Sequence, residues 1–375
     1  MDVYRRLARH LDNLPGGFPA TESGVELRIL RQLFSPEDAD LACHLTLIPE
    51  IPAVVARRAG ISRTDAAERL ADMARRGLIM PHGKPDDPVR YMALHFVVGI
   101  WENQVNRLTP ELIRDVNEYF QTFIDYRAWQ AAPQMRTIPV GRSISTLREV
   151  MPYDQAEALV REQKHFSVRP CICRQEHRMV GAGCDKPLES CLTLGQGAED
   201  GGRMGVEGRA IDLAETLDIL QRAEAAGLVI QPSNTRRAVW ICTCCGCCCQ
   251  VLKAFKRHPR PAEIVSSAFE AALDPAVCEG CGVCVDRCQM DALSLDDDDV
   301  AHLDSDRCIG CGLCVTTCPT GALTLQAKPP SRRPEVPNTI EGAMIRLAKH
   351  RGKLTTGGMM KMLVKSKVDR FRSRL

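Results

Sequence analysis

The spacing of apolar residues predicts a helical amino-terminal third of the chain. Residues 25–34 (VELRILRQLF) repeat apolar side chains at helical intervals, and Ser35 followed by Pro36 is a typical start for a second helix. Residues 51–59 (IPAVVARRA) predict a third helix that ends at Gly60, since glycine readily adopts the left-handed conformation found just past a helix end. The pattern therefore indicates several short helices in succession.

A further helix and a hairpin follow. Ser62, with Asp65 three positions later, is a typical helix start. The apolar residues 77–80 and 89–94 flank a turn rich in Pro, Gly and Asp, which predicts a two-stranded hairpin. This order of helices and hairpin resembles a winged helix-turn-helix domain, and the resemblance covers residues 22–96.

The resemblance would make the helix from Arg63 to Arg76 the one that reads DNA. That helix mixes both signs of charge, in Arg63, Arg69, Arg75, Arg76, Asp65, Glu68 and Asp72. A helix that neutralises phosphates usually needs a more one-sided positive face. We therefore expect a structural or protein-contact role for this domain, with DNA binding as the less favoured alternative.

The rest of the chain divides by composition. Apolar residues from Trp101 to Phe123 recur at three- and four-residue steps, which predicts an amphipathic helical connector whose apolar stripe is core. Together with strand-like stretches before the cysteines, the pattern predicts an α+β protein. The predicted parts after the winged-helix-like domain are a helical connector at 97–165, a Cys-rich metal-binding domain at 166–255, a ferredoxin-like domain at 270–327 and a basic tail at 328–375.

Cysteine usage indicates metal binding. The chain has 375 residues and 19 cysteines, and all of these except Cys43 lie between Cys171 and Cys318. Residues 1–11 lack the apolar core of a signal peptide, and no run approaches the roughly eighteen apolar residues that span a bilayer. We therefore expect a cytoplasmic protein whose reduced thiolates hold metal, and we expect Cys43 to be a buried small hydrophobe on a helix.

Two segments of the chain repeat each other. Residues 278–295 align with residues 308–325 at a period of thirty, and each contains the pattern C-x2-C-x2-C-x3-C. This pattern resembles that of bacterial two-cluster [4Fe-4S] ferredoxins, in which the fourth cysteine binds the other cluster. The resemblance implies two [4Fe-4S] clusters, one on Cys278, Cys281, Cys284 and Cys318 and the other on Cys308, Cys311, Cys314 and Cys288.

One position departs from the ferredoxin pattern. Pro319 follows Cys318 as in the family, but Gln289 follows Cys288. We expect the ligands to be retained and the potential of the adjoining cluster to differ. Zinc knuckles are the alternative for the repeats, but zinc sites favour C-x2-C pairs separated by a longer loop, so the triplet with a fourth cysteine favours clusters.

Ten further cysteines form an upstream field. The candidate metal ligands are Cys171, Cys173, Cys184, Cys191, Cys244, Cys245, Cys248 and Cys249, with Cys242 and Cys247 beside them. Four thiolates suffice for one [4Fe-4S] cluster or one tetrahedral zinc, and unligated or redox-active thiols are the third possibility. Cysteines 242–249 cannot all reach one metal, because neighbours on an extended chain point to opposite faces. They are expected to divide between sites.

Two other features of the field are weaker signals. The Cys-Cys-Gly triplet at 244–246 resembles the cysteine-rich motif of heterodisulfide-reductase-type subunits, which hold unusual clusters. Glu176 and His177 are possible ligands, but we expect His177 to be a solvated loop residue.

The tail is strongly basic, whereas the ferredoxin repeats are acidic. Residues 328–375 hold 13 Lys and Arg against 3 acids, and residues 270–327 hold 11 acids against 2 bases. Helices are predicted at Ile340–His350 and Met359–Phe371, with a disordered tail as the alternative. The basic amphipathic pattern of the second helix predicts docking to an acidic partner or an anionic membrane surface.

These features favour an electron-transfer protein. We expect single electrons to pass through two clusters to the Cys-rich metal site or to a partner oxidoreductase, and the chain resembles 4Fe-4S-binding proteins of anaerobic bacteria. No catalytic residue set is visible. The Gly-rich segment 195–205 fits neither the P-loop nor the dinucleotide-binding fingerprint. The alternatives are a redox-responsive DNA-binding regulator and a structural zinc protein.

Overall fold

The computed structural model describes residues 2–83, 87–144, 147, 150–203, 208–353 and 355–372. The chain forms two compact units. Unit 1 comprises residues 1–125, 199–208 and 344–375, and unit 2 comprises residues 126–198 and 209–343. Both helices and strands are present, as the α+β prediction requires.

Unit 1 begins with five helices and a hairpin. These are α1 (Val3–Asp12), α2 (Val25–Leu33), α3 (Pro36–Ala42), α4 (Pro52–Ala59), α5 (Arg63–Arg75), β1 (Met80–His82) and β2 (Arg90–Met92). The predicted helix starts are present: Ser35 Oγ accepts the Asp38 amide at 3.1 Å, and Ser62 Oγ accepts the Asp65 amide at 3.0 Å. Each cap stabilises its helix by about 1 kcal/mol. The identification of this region as a winged helix stays a prediction.

Helix α6 (Pro110–Tyr119) completes an aromatic core in unit 1. Phe18 packs against Phe96 with ring centroids 4.8 Å apart, and Tyr119 packs against both rings. Trp101 is fully buried, so the apolar stripe predicted to be core is core. Such edge-on and tilted aromatic pairs are favoured by the charge distribution of the rings.

Residues 97–165 are less helical than their apolar spacing predicts. Beyond α6 they contain α7 (Tyr126–Ala131), α8 (Ala156–Arg161) and two short 3-10 helices, Gly141–Ile144 and Pro152–Asp154. Around Ile138 the chain is extended and forms an isolated antiparallel bridge with Ile230. The hydrogen bonds that a helix would make there are made to another part of unit 2 instead.

A five-stranded antiparallel sheet organises the cysteine field of unit 2. Its strands are β3 (Phe166–Pro170), β4 (Glu189–Leu194), β5 (Arg209–Ile211), β6 (Val229–Pro232) and β7 (Trp240–Cys244), in the order β5-β3-β4-β7-β6. The helices that alternate with or follow these strands along the chain are α9 (Ile172–Met179), α10 (Gln196–Arg203), α11 (Leu213–Ala225), α12 (Gln250–Arg257) and α13 (Pro261–Ile264). One residue separates β3 from α9 and five residues separate β7 from α12, so the cysteine loops lie where strands pass into helices.

The two sequence repeats form two antiparallel strand pairs. Their elements are β8 (Phe269–Leu273), α14 (Val283–Arg287), β9 (Leu293–Leu295), β10 (Ala301–Leu303) and β11 (Leu323–Ala327). Strand β8 pairs with β11, and β9 pairs with β10. Gly310, at φ +68°, is required in its loop, because a Cβ there would lie 2.1 Å from the carbonyl oxygen of Phe269.

The basic tail forms two helices, α15 (Ile340–His350) and α16 (Thr356–Arg372). Within unit 1, Asp369 of α16 pairs with Arg58 of α4 at 2.7 Å, and Ser366 Oγ donates to Glu50 at 2.6 Å. The helices predicted for the tail are therefore present. Of the described helices, none is long and apolar enough to cross a membrane.

Candidate metal centres

The first ferredoxin-type site, here called site A, gathers Cys278, Cys281, Cys284 and Cys318. These four side chains line one cavity of about 350 Å³. The Ala301 amide donates to Cys278 Sγ at 3.4 Å. Amide donors of this kind stabilise the negative charge of metal-bound thiolates. The set that the ferredoxin resemblance implies thus surrounds one cavity.

The second site, site B, gathers Cys288, Cys308, Cys311 and Cys314. All four line a cavity of about 380 Å³. The Ala292 amide donates to Cys288 Sγ at 3.2 Å, and the Ala271 amide donates to Cys308 Sγ at 3.5 Å. The fourth cysteine of each repeat therefore lies with the other repeat's triplet.

Burial controls the acidity of these thiols. Burial raises the pKa of Cys311 to about 12 and also raises the pKa of Cys314. At Cys318 burial acts in the same direction, but hydrogen bonds from the Leu323 amide and the Thr320 hydroxyl outweigh it and lower the pKa. Buried thiolates need a positive charge beside them, and a bound iron centre supplies it.

A third site in the field, called the quartet, consists of Cys184, Cys245, Cys247 and Cys248. Their sulfurs all lie within 4.8 Å of one another. Cys184 follows α9, whereas the other three lie in the loop between β7 and α12. Cys247 is exposed, and Cys245 and Cys248 are buried. Four thiols at this spacing are the ligand set of one tetrahedral zinc or one four-iron cluster.

The remaining six cysteines of the field contact one another and form what we call the ring. Its members are Cys171, Cys173, Cys191, Cys242, Cys244 and Cys249. Of the eight candidates chosen from sequence, five lie in the ring and three in the quartet. Cys242 and Cys247 were not chosen. Alternation along β7 was the available signal for Cys242, because it shares a strand face with Cys244.

A buried cation lies between the quartet and the ring. Arg174 is 1% exposed and donates to the carbonyl oxygen of Thr243 at 2.8 Å, and its Nη1 lies 3.9 Å from Cys245 Sγ. Burial alone would lower the pKa of Arg174, but the sulfurs of Cys171, Cys245 and Cys244 outweigh burial and raise it. The guanidinium therefore stays charged beside sulfurs of both groups.

Gln289 joins the ferredoxin repeats to the quartet loop. Its Oε1 accepts the amide of Gly246 at 2.8 Å, and its carbonyl oxygen lies 2.1 Å from where a Cβ on Gly246 would stand. Only glycine permits this approach. Gly246 lies between Cys245 and Cys247, and Gln289 follows Cys288, so the contact connects the ligand loops of site B and the quartet.

His177 and Glu176 do not have the surroundings expected from sequence. The expectation of a solvated loop histidine is wrong, because both residues are buried on α9. His177 Nδ1 lies 2.7 Å from the carbonyl oxygen of Cys173, and its Nε2 lies 3.1 Å from Lys253 Nζ. Glu176 accepts the side-chain amide of Gln250 at 2.6 Å. Both imidazole nitrogens of His177 thus have protein partners, and these contacts position α9 against α12.

Comparison with known families agrees with the ferredoxin-type sites. A family model described as a 4Fe-4S dicluster domain matches residues 271–325, about one seventh of the chain. No curated protein and no solved structure matches the chain. The predicted ferredoxin-type 4Fe-4S module is confirmed by this match, and the chain is an iron-sulfur protein with at least one cluster.

Proposed function

We propose that the protein is an electron carrier that relays single electrons through two [4Fe-4S] clusters, held in sites A and B, to a metal centre in the quartet. Each of the two cavities is lined by four cysteines from both repeats, which supports one cluster in each. A bound cluster would accept and release one electron at a time, and the protein's amides and burial would tune its potential. The residues present fit that role.

The contact between Gln289 and Gly246 is the observation on which this proposal rests most. With a cluster bound in site B, an electron leaving through Cys288 would enter Gln289, cross the 2.8 Å hydrogen bond between its side-chain Oε1 and the Gly246 amide, and reach the loop that holds Cys245 and Cys247. Covalent and hydrogen bonds couple redox centres better than a gap of the same length. The residue that departs from the ferredoxin pattern therefore supplies a short bonded route.

Electrons would enter at site A. Cys281 is exposed there, and the nearby apolar side chains of Val277 and Val283 are 47% and 42% exposed. Exposed apolar residues around an accessible ligand suit transient docking of a redox partner. Site B is less accessible, since Cys311 is half-buried and Cys314 is buried.

A DNA-binding regulator is less well supported. Three arginines in or directly after α5, the helix that would read DNA, have acidic partners within unit 1. Arg69 and Arg76 both pair with Asp38, and Arg76 also pairs with Asp72 at 2.8 Å. Breaking these pairs would oppose phosphate binding, so a gel-shift assay on genomic fragments should show no specific complex in either redox state.

The tail presents a further binding surface. Helix α16 exposes Val364, Val368 and Phe371, while its Ser366 and Asp369 contact the rest of unit 1. An outward apolar stripe among lysines and arginines suits an anionic membrane surface. Sedimentation with phosphatidylserine-containing vesicles, but not with neutral vesicles, is expected, and Phe371→Asp should abolish it. Equal binding to both vesicle types would contradict this role.

The electron-carrier proposal is tested with anaerobically purified full-length protein. Sites A and B require about eight iron and eight acid-labile sulfide per chain, with two cluster signals in the EPR spectrum on reduction. Gln289→Met should retain this iron but slow electron transfer from site B to the quartet by about tenfold, measured by rapid-freeze EPR. Gln326→Met, an exposed glutamine of β11, is the matched control. Fewer than about eight iron, or an unchanged rate in Gln289→Met, would contradict the relay.

A further inference from the structure

The ring is the feature that the proposed relay leaves unexplained. Its sulfurs are hydrogen-bonded in one continuous series, in the order Cys171, Cys173, Cys249, Cys244, Cys242 and Cys191. Every interior member contacts two others, and Cys171 and Cys191 stand at the two ends of the series. Cys244 and Cys249 are 5% and 6% exposed. The other four members are half-buried.

Sheet register brings the ring together independently of the thiol contacts. Strand β4 pairs with β7 so that Leu192 lies opposite Ile241 and Thr193 opposite Trp240. The same register continued by one residue places Cys191 opposite Cys242. Cys244, two residues further along β7, projects to the same face as Cys242. Backbone pairing therefore determines the positions of three ring members, Cys191, Cys242 and Cys244.

The other three ring members lie at the starts of two helices. Cys171 is the N-cap residue of α9, with Cys173 in its first turn, and Cys249 is the N-cap residue of α12. The Arg174 amide donates to Cys171, and the amides of Val251 and Leu252 donate to Cys249. Amide donors and helix N-termini stabilise negatively charged sulfur. Both helix starts therefore direct backbone N–H donors at a ring sulfur.

Arg174 supplies the matching positive charge. Its hydrogen-bond acceptors are the Thr243 carbonyl oxygen, the hydroxyls of Ser190 and Thr243, and Cys245 Sγ. Within the described part of the chain, the structure gives it no carboxylate partner. A guanidinium that is 1% exposed favours negative charge nearby, and Cys245 Sγ lies 3.9 Å from its Nη1.

We propose that the ring binds a second metal centre of the cysteine field, a polynuclear iron-sulfur cluster held by thiolates from β4, β7 and the starts of α9 and α12. A single zinc, like a cubane four-iron cluster, would use four of the six thiolates and leave two without a metal. A polynuclear cluster has several metal ions to share among six ligands. The ring can hold this centre whether or not electrons reach it from site B, so this inference is independent of the proposed relay.

The test compares metal content of full-length chains purified without oxygen. The double variant Cys191→Ala/Cys242→Ala removes the two cysteines that face each other across β4 and β7. It should lose about four iron and four acid-labile sulfide per chain relative to the wild type, while the EPR signals of sites A and B persist. Cys43→Ala, a cysteine of unit 1, is the control and should lose none.

A second measurement uses the wild type alone, so it does not depend on the variant folding. Alkylation after denaturation without reductant, followed by peptide mass spectrometry, should label all six ring cysteines. Ring cysteines blocked as disulfides would overturn the proposal. So would unchanged iron in the double variant, or wild-type protein that holds zinc in place of iron at the ring. Loss of the site A and B signals from the wild type would instead contradict the relay.

Discussion

The ferredoxin repeats and the cysteine field bring the cysteines of a candidate metal site together in different ways. In site B, Cys308, Cys311 and Cys314 stand within seven residues, and a single ligand arrives from the other repeat. In the ring, sheet register and two helix starts bring together cysteines from four elements. The comparison teaches that a loop wrapped around a cluster is visible in sequence spacing, whereas a site built by tertiary structure is not.

The largest loss of iron and of stability is expected at a cysteine that is both a cluster ligand and part of the hydrophobic core. Cys314 of site B is 8% exposed and packs in a cluster with Ala271, Leu293 and Leu323. Cys314→Ala should lose about four iron and, because cluster binding contributes directly to folding, at least about 3 kcal/mol of unfolding free energy. Iron assay and anaerobic denaturation would measure both. Retention of the full iron content would show that Cys314 is not a ligand.

The same contrast explains how much of the fold and of the candidate metal sites could be predicted from the sequence. The repeats, their cysteines and the helix starts at Ser35 and Ser62 depend on residues within a few positions of one another, so the sequence was sufficient. The division of the field between quartet and ring depends on which strand pairs with which. The extended chain near Ile138 likewise pairs with distant Ile230, and this tertiary pairing overrides its local spacing.

Replacing the buried cation would test whether the field holds charged thiolates. Arg174→Met leaves the Thr243 carbonyl oxygen and Ser190 without their donor, which should cost about 1–3 kcal/mol. Loss of the positive charge disfavours the reduced, more negative centre, so the reduction potential of the neighbouring centres should fall by about 60 mV, a tenfold change for one electron. Redox titration monitored by EPR would measure it.

Arg174→Lys is the matched control for that change. It keeps the charge, so the potential should move much less than in Arg174→Met, while sites A and B should be unaffected in both variants. A potential that is unchanged in Arg174→Met would mean that no metal centre lies near the guanidinium.

A smaller effect is expected at the contact between Gly246 of the cysteine field and Gln289 of the ferredoxin repeats. In Gly246→Ala the new Cβ would stand 2.1 Å from the carbonyl oxygen of Gln289, so one of the two backbones must move. We expect a loss of about 1–3 kcal/mol and slower electron transfer, with all iron retained. Gly342→Ala in α15 meets only Thr339 at 3.7 Å and should be neutral or slightly stabilising. Equal stability of both variants would contradict the close contact.

The smallest effect on folding is expected at the quartet's open corner. Cys247 is exposed, and its sulfur lies 3.7 Å from that of Cys248. Cys247→Ala removes one of four ligands without leaving a cavity in the core, so metal should be lost from the quartet with a smaller loss of unfolding free energy than in Cys314→Ala, which also removes a buried side chain. Metal analysis with thermal unfolding would check this. A loss of stability as large as that of Cys314→Ala would mean that the quartet, like site B, holds its surrounding fold together through its metal.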